Sequence, residues 1–154
     1  MELDELKKEY GGLEKKHKLP SFSEVNQIFD IEKIDRESDV MLKTIRKVMV
    51  DKIMSSLGFV EMLMNPMNAP RMYYRYIKNM SEEDKKSLDN IYESFSEIST
   101  LSLEREIDYD EKGEVGLIKY VFKIWNDMRS EFRRILKNIK NPGEGEKKDR
   151  NYFG

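Results

Sequence analysis

Tyrosines and basic residues are interleaved in one short segment, residues 71 to 78, which reads RMYYRYIK. Aromatic rings stack on bases and cationic groups bind phosphates, so this composition is typical of a platform for single-stranded nucleic acid. Tyrosine and arginine are also enriched at protein-interface hot spots. The simplest interpretation is structural, with the tyrosines packed over the end of a helical bundle and the basic groups in water. A protein interface ranks second and a nucleic-acid site third. The candidate binding residues of this segment are Arg71, Tyr73, Tyr74, Arg75, Tyr76 and Lys78.

A second basic surface follows the outer side of the last predicted helix. It comprises Lys119, Lys123, Arg133, Arg134, Lys137 and Lys140. Cations near a helix C-terminus are favoured by the helix dipole alone, so much of this surface requires no ligand. We keep Arg134 and Lys137 as candidate binding residues for a nucleic acid or a protein.

The last residues, 141 to 154, read NPGEGEKKDRNYFG and contain no apolar side chain before Tyr152 and Phe153. This composition predicts a flexible tail. Two aromatic residues at the end of a polar linker can act as a docking peptide for another protein. Two alternatives stay open: the aromatic pair covers an exposed patch of the same chain, or it has no role.

Two arginines, Arg46 and Arg129, project into the apolar arcs of their predicted helices on a helical wheel. A buried guanidinium must be paired and hydrogen-bonded, because an unpaired charge in the interior costs several kcal/mol. We therefore expect carboxylate partners from neighbouring helices, or positions at the helix edges. The alternative is that both arginines line a shared anion pocket.

No recognisable pattern predicts catalysis, a metal or a cofactor. The sequence has no cysteine and a single histidine, His17, so thiol chemistry is excluded and a dimetal site lacks its Glu-x-x-His pairs. The turn at residues 108 to 114 resembles a calcium loop, but it places Lys112 and Lys119 where oxygen ligands are needed. No Walker loop, GxGxxG or GxSxG motif is present. An enzyme with scattered active-site residues stays the third functional alternative.

Composition indicates long helices, each with one solvated face. Charged residues make up 38% of the chain, yet the net charge is only -2, so no global field attracts a polyanion. The first residues lack the apolar core of a signal peptide, and every long apolar stretch carries charges. We therefore expect a cytoplasmic protein without a membrane span.

The predicted fold is all-α. Long helices are expected over residues 39–64, 82–106 and 114–140, and no segment alternates as a strand does. Shorter helices are predicted at 2–9, which Gly11 and Gly12 would end, at 21–34, capped by Ser21 or Ser23, and at 71–78. Ser81 is the predicted N-cap of the second long helix. The result is an antiparallel bundle of three long helices with short helices packed across it, in one domain, residues 1–140, followed by the tail.

The inward face of the last helix is predicted from a repeat of 3.6 residues. The wheel places these apolar residues inward: Ile118, Val121, Phe122, Trp125, Phe132, Leu136 and Ile139.

The leading functional hypothesis is a small non-enzymatic module that binds another protein through residues 71–78, the last helix or the tail. The alternative is an accessory nucleic-acid-binding protein that uses the Tyr/Arg segment and the basic side of the last helix. The sequence is compatible with a monomer or a homodimer.

Overall fold

A computed structural model describes residues 3–34, 40–65, 67 and 69–141. Within these ranges the chain is helical and contains no strand, which confirms the predicted all-α class. The helices are α1 (Leu3–His17), α2 (Phe22–Phe29), α3 (Met41–Met64), α4 (Tyr74–Lys78), α5 (Glu82–Ile107) and α6 (Glu111–Lys140). Single 3-10 turns occupy Ile31–Lys33 and Arg71–Tyr73. The predicted tail lies outside the described residues from position 142 onwards.

The three long helices form the bundle, and each packs against the other two. α3 carries the largest share of the core, including Ile45, Met49, Ile53 and Val60, all completely buried. α3 packs against both α5 and α6, so its apolar arc must be wide enough for two partners. The bundle of three long helices is therefore confirmed.

The buried stripes of α5 and α6 follow a repeat of 3.5 residues. In α5 the stripe consists of Asp84, Leu88, Ile91, Phe95, Ile98 and Ser102, at alternating steps of four and three. In α6 the same alternation connects Glu114, Ile118, Val121, Trp125, Met128, Phe132 and Ile135. Such spacing lets side chains of neighbouring helices interlock as in a left-handed coiled coil.

This repeat corrects the predicted inward face at the end of α6. A wheel of 3.6 residues drifts by about 20° per heptad against a 3.5-residue repeat. Over a helix of 30 residues the drift moves the predicted face off the true one. Leu136 was expected inward and is 37% exposed, whereas Ile135 beside it is completely buried. For the same reason Met128 occupies the stripe and Arg129 is exposed.

α1 continues through Gly11 and Gly12, where the sequence predicted its end. Two glycines in a helix interior cost about 2 kcal/mol relative to alanine. The cost is offset because Leu6 and Tyr10 are completely buried, and the Tyr10 hydroxyl donates a hydrogen bond of 2.6 Å to the Pro20 carbonyl. Burial of apolar surface at this scale exceeds the glycine penalty.

α2 begins with a capping box and is held against the bundle at its other end. Ser21 accepts a hydrogen bond from the Glu24 amide and the Glu24 carboxylate accepts one from the Ser21 amide, so of the two predicted caps Ser21 is correct. Lys52 of α3 donates to the Ile28 carbonyl and lies over the rings of Phe29 and Trp125. One ammonium group thus connects α2, α3 and α6.

The 3.5-residue repeat can be tested with neighbouring substitutions in α6. Ile135→Ala removes a completely buried side chain, and we expect a loss of about 2–5 kcal/mol in the free energy of unfolding. Leu136→Ala removes a part-exposed side chain, and we expect a loss below about 1 kcal/mol. Urea denaturation of both variants measures the difference, and equal losses would contradict the repeat.

Candidate functional site

The segment at residues 71 to 78 forms the corner between α3 and α5, and two of its three tyrosines belong to the core. The Tyr73 ring packs edge-on against Phe59 with 5.8 Å between centroids. The Tyr76 hydroxyl is buried and donates a hydrogen bond of 3.0 Å to Oδ2 of Asp84. Tyr74 alone of the three is exposed. Tyr73 and Tyr76 therefore anchor the segment to the bundle, and the Tyr74 ring is exposed to solvent.

Asp84 collects the polar groups at this end of the bundle. Its carboxylate is buried and accepts hydrogen bonds from Tyr76 and from Nδ2 of Asn138, both at 3.0 Å. Arg134 of α6 forms an ion pair with the same carboxylate, with its Nη2 at 3.2 Å from Oδ1 of Asp84. Burial and, after it, the neighbouring Asp84 carboxylate raise the pKa of Tyr76, so its hydroxyl stays a donor.

Arg134, a predicted binding residue, is occupied within the bundle. It pairs with Glu83 and Asp84 and donates a hydrogen bond of 2.7 Å to the Ser87 hydroxyl. Two carboxylates therefore balance its charge, which weakens its claim to a phosphate. Lys137, the second candidate on α6, is exposed.

The outward part of the corner is apolar as well as basic. Met67 is 89% exposed and Met72 77% exposed. We define the corner surface as the exposed apolar, aromatic and basic side chains of this connection other than proline: Met67, Arg71, Met72, Tyr74, Arg75 and Lys78. Sequence reasoning missed the two methionines. Their exposure could not be read from residue type, because Met80 in the same connection packs against the core.

At the opposite end of the bundle, Arg46 is buried in a polar layer to which all three long helices contribute. Its Nε and Nη2 donate to the two oxygens of Glu114 at 2.8 and 3.1 Å, and its Nη1 donates to Glu106 at 2.7 Å and to Ser102 at 3.1 Å. Arg46 and Glu114 are both at most 1% exposed. The expected pairing of Arg46 with carboxylates of neighbouring helices is confirmed.

The prediction that Arg129 also faces the interior is wrong, since it lies one position beyond the buried stripe and is exposed. The donors of Arg46 are meanwhile directed at Glu114, Glu106 and Ser102. An anion pocket shared by the two arginines therefore does not form.

The electrostatic surroundings in the polar layer favour the charged forms of Arg46 and Glu106. Burial alone would lower the pKa of Arg46, but its hydrogen bonds to Glu114 and Glu106 outweigh burial and raise it. The hydrogen bond from Arg46 lowers the pKa of Glu106, and Arg46, Lys47 and Lys43 add charge attraction. Arg46 and Glu106 are therefore stabilised in their charged forms.

From the sequence, His17 was compared with a dimetal site and the turn before α6 with a calcium loop. In the structure both make other contacts. Nε2 of His17 is 3.0 Å from Oε1 of Glu111, which also pairs with Lys16. Asp110 caps α6 by accepting a hydrogen bond from the Gly113 amide. Within the ranges that the structure describes, no group of three or more His, Asp or Glu residues is arranged to hold a metal ion.

Comparisons with known proteins supply no relative: no protein-family model, curated protein or solved structure matches the chain. Among the described helices, none has both the length and the apolar character required to cross a membrane.

Removing one member of the buried ion pair should be costly. Arg46→Met leaves Glu114 buried without its partner, and we expect a loss of about 3–5 kcal/mol in the free energy of unfolding. The double variant Arg46→Met/Glu114→Met replaces both charges by apolar groups and should recover most of that loss. Urea denaturation at neutral pH measures both. A double variant no more stable than the single one would contradict the pairing.

The lowered pKa of Glu106 predicts a dependence of stability on pH. A carboxyl group whose pKa is lower in the folded than in the unfolded state stabilises the fold above the unfolded pKa, about 4.3. That contribution is lost as the pH falls through the folded pKa. Glu106→Gln lacks it, so its free energy of unfolding should fall less than that of the wild type between pH 7 and pH 3.

Glu104→Gln is the matched control for this experiment, because Glu104 is exposed two residues earlier in α5, on another side of the helix. It should keep the pH dependence of the wild type. A wild-type slope in Glu106→Gln would contradict the assignment.

Proposed function

We propose that this chain is a small non-enzymatic module that binds another protein through the corner surface, and that it acts in the cytoplasm. The observation that carries the proposal is the exposure of Met67, Met72 and Tyr74 in a connection whose inner side chains are packed on the bundle. Large apolar side chains that are exposed together in one short connection favour an interaction site.

The corner surface combines side chains that suit binding of a protein. Methionine adapts its shape to a partner, because its side chain is unbranched and polarisable. Tyr74 adds a large ring with few rotatable bonds, and Arg71 can form bidentate hydrogen bonds with a carboxylate. With Lys78 as a second cation, the matching partner surface has an apolar centre and acidic residues at its rim.

The anchors below the corner surface favour binding energetically. Tyr73 packs on Phe59, and Tyr76 is hydrogen-bonded to the buried Asp84. A segment held in place before binding loses less conformational entropy when the partner arrives.

The alternative, an accessory nucleic-acid-binding protein, rests on Tyr74 between Arg71 and Arg75 and on the exposed Lys137. This alternative has less support than the composition of the segment alone suggests, because Tyr73 and Tyr76 are used in packing and a single ring is left for stacking. The aromatic pair Tyr152 and Phe153 lies outside the described residues and stays a separate candidate contact.

The proposal predicts that binding depends on the apolar centre of the corner surface. Full-length protein is immobilised and exposed to nuclease-treated cell lysate, and recovered partners are quantified. Met72→Asp and Tyr74→Ala should each reduce recovery at least about tenfold, because each removes a central contact. Tyr109→Ala, which alters an equally exposed tyrosine at the opposite end of the bundle, should leave recovery unchanged.

Three outcomes would contradict the proposal. Recovery that disappears on nuclease treatment, or falls steeply with salt, would favour the nucleic-acid alternative. Recovery lost on removal of residues 142–154 would place the contact in the tail. Recovery unaffected by both corner variants would exclude the corner surface.

A further inference from the structure

One side of the α3–α5 pair is not covered by any other helix among the described residues. On the opposite side α5 contacts α6, where Tyr120 donates a hydrogen bond to Glu97 and Arg134 donates one to Ser87. On the open side, Tyr92 of α5 lies beside Gly58, Glu61 and Met64 of α3. Further along the pair, Lys47 of α3 is 3.6 Å from Glu106 of α5.

We define the α3–α5 face by the positions that share this side at helical spacing. From α3 it contains Lys47, Val50, Met54, Leu57, Glu61 and Met64, and from α5 Asp89, Tyr92, Ser96, Ser99 and Leu103. Val50 and Leu57 form its buried floor. The face shares no residue with the corner surface.

Large apolar side chains are exposed along the whole face. Leu103 is 63% exposed, and Met54, Met64 and Tyr92 are each more than a third exposed. Small residues between them, Ser96 among them, leave room for another helix to approach. This is the pattern of a helix pair that buries a further layer in an assembly.

The charges on α3 show which partner fits. Lys47 precedes Met54 by seven residues and Glu61 follows it by seven, so both lie two turns away on the same side of the helix. A two-fold axis through Met54 and perpendicular to α3 brings Lys47 of each copy against Glu61 of the other. The face is therefore complementary to itself, as an isologous interface must be.

We propose that two copies of this chain form a dimer through the α3–α5 face, with the two α3 helices packed antiparallel. Lys47 is half exposed and Glu61 is exposed, so each can reach a group on a second copy. Met54 packs against its own counterpart at the axis. The inference is independent of the proposed function, because corner surface and face are separate.

The size of the face suits such a dimer. On α3 the face runs from residue 47 to residue 64, so at about 1.5 Å per residue it is about 26 Å long. Two adjacent helices are about 20 Å wide, which gives roughly 500 Å² per copy, at the lower limit of about 1,000 Å² in total for a specific interface.

Charge reversal tests the proposal through the mass of the full-length protein in sedimentation velocity at several concentrations. The wild type should be a dimer at micromolar concentration. Lys47→Glu and Glu61→Lys should each weaken the dimer at least about tenfold, because each sets like charges against each other twice. An equimolar mixture of the two variants should form a heterodimer with both pairs restored, and the double variant Lys47→Glu/Glu61→Lys should dimerise alone.

Controls separate the dimer from folding and from the corner surface. Lys86→Glu, on a part of α5 that is turned away from the face, should leave the dimer intact, and so should Tyr74→Ala. Met54→Glu places two carboxylates at the axis and should yield a folded monomer by circular dichroism. This variant keeps the test decisive if Lys47→Glu disturbs the contact with Glu106.

Several results would overturn the proposal. These are a wild type that is monomeric at all concentrations, a dimer that persists in Met54→Glu, and charge variants that form no heterodimer when mixed. A dimer lost on removal of residues 142–154 would also overturn it, because the tail would then provide the contact.

Discussion

The buried guanidinium of Arg46 sets the condition that the rest of the bundle must meet. A charge in the interior is tolerated only where opposite charge and hydrogen-bond acceptors surround it. This condition is met jointly by Glu114 of α6 and by Glu106 and Ser102 of α5. Because all three side chains must reach Arg46, they restrict the register and the orientation of the three long helices relative to one another. An apolar layer in its place would discriminate less between helix registers. We therefore expect the layer to fix alignment more than it adds stability.

A second polar cluster, around Asp84, acts at the opposite end of the bundle. There Tyr76, Asn138 and Arg134 converge on one carboxylate, which joins α4 and α6 to the beginning of α5. Between the two clusters the core is aliphatic and aromatic, with Phe95 stacked on Trp125 at 6.4 Å. Specific polar contacts therefore define the two ends, while apolar packing supplies the stability of the middle.

The sequence was sufficient to predict the fold class and the three long helices, and carboxylate pairing of a buried Arg46 was one of the interpretations that it offered. Each depends on periodicity, helix caps and the cost of an isolated buried charge, which are local or general quantities. The inward face at the end of α6 was not predictable in this way. Whether Ile135 or Leu136 faces the core depends on how far neighbouring helices shift the repeat from 3.6 to 3.5 residues, a property of the packed bundle.

The candidate site shows the same limit. Composition identified the segment at residues 71 to 78, but it could not tell which tyrosines face outward. Tyr76 is buried because Asp84 offers a carboxylate one helix away, and Tyr73 is half-buried because Phe59 offers a ring. These partners are distant enough in the chain that only the three-dimensional structure brings them together.

The exposed methionines of the corner surface have a consequence for oxidative chemistry. The sequence has no cysteine, so thioether sulfur is the only sulfur that an oxidant can modify. Met67 and Met72 are open to solvent, whereas Met49 is completely buried. Oxidation therefore converts the corner to polar sulfoxides before it reaches the core. The proposed contact surface therefore contains the two most exposed methionines of the described residues, and the buried Met49 is protected.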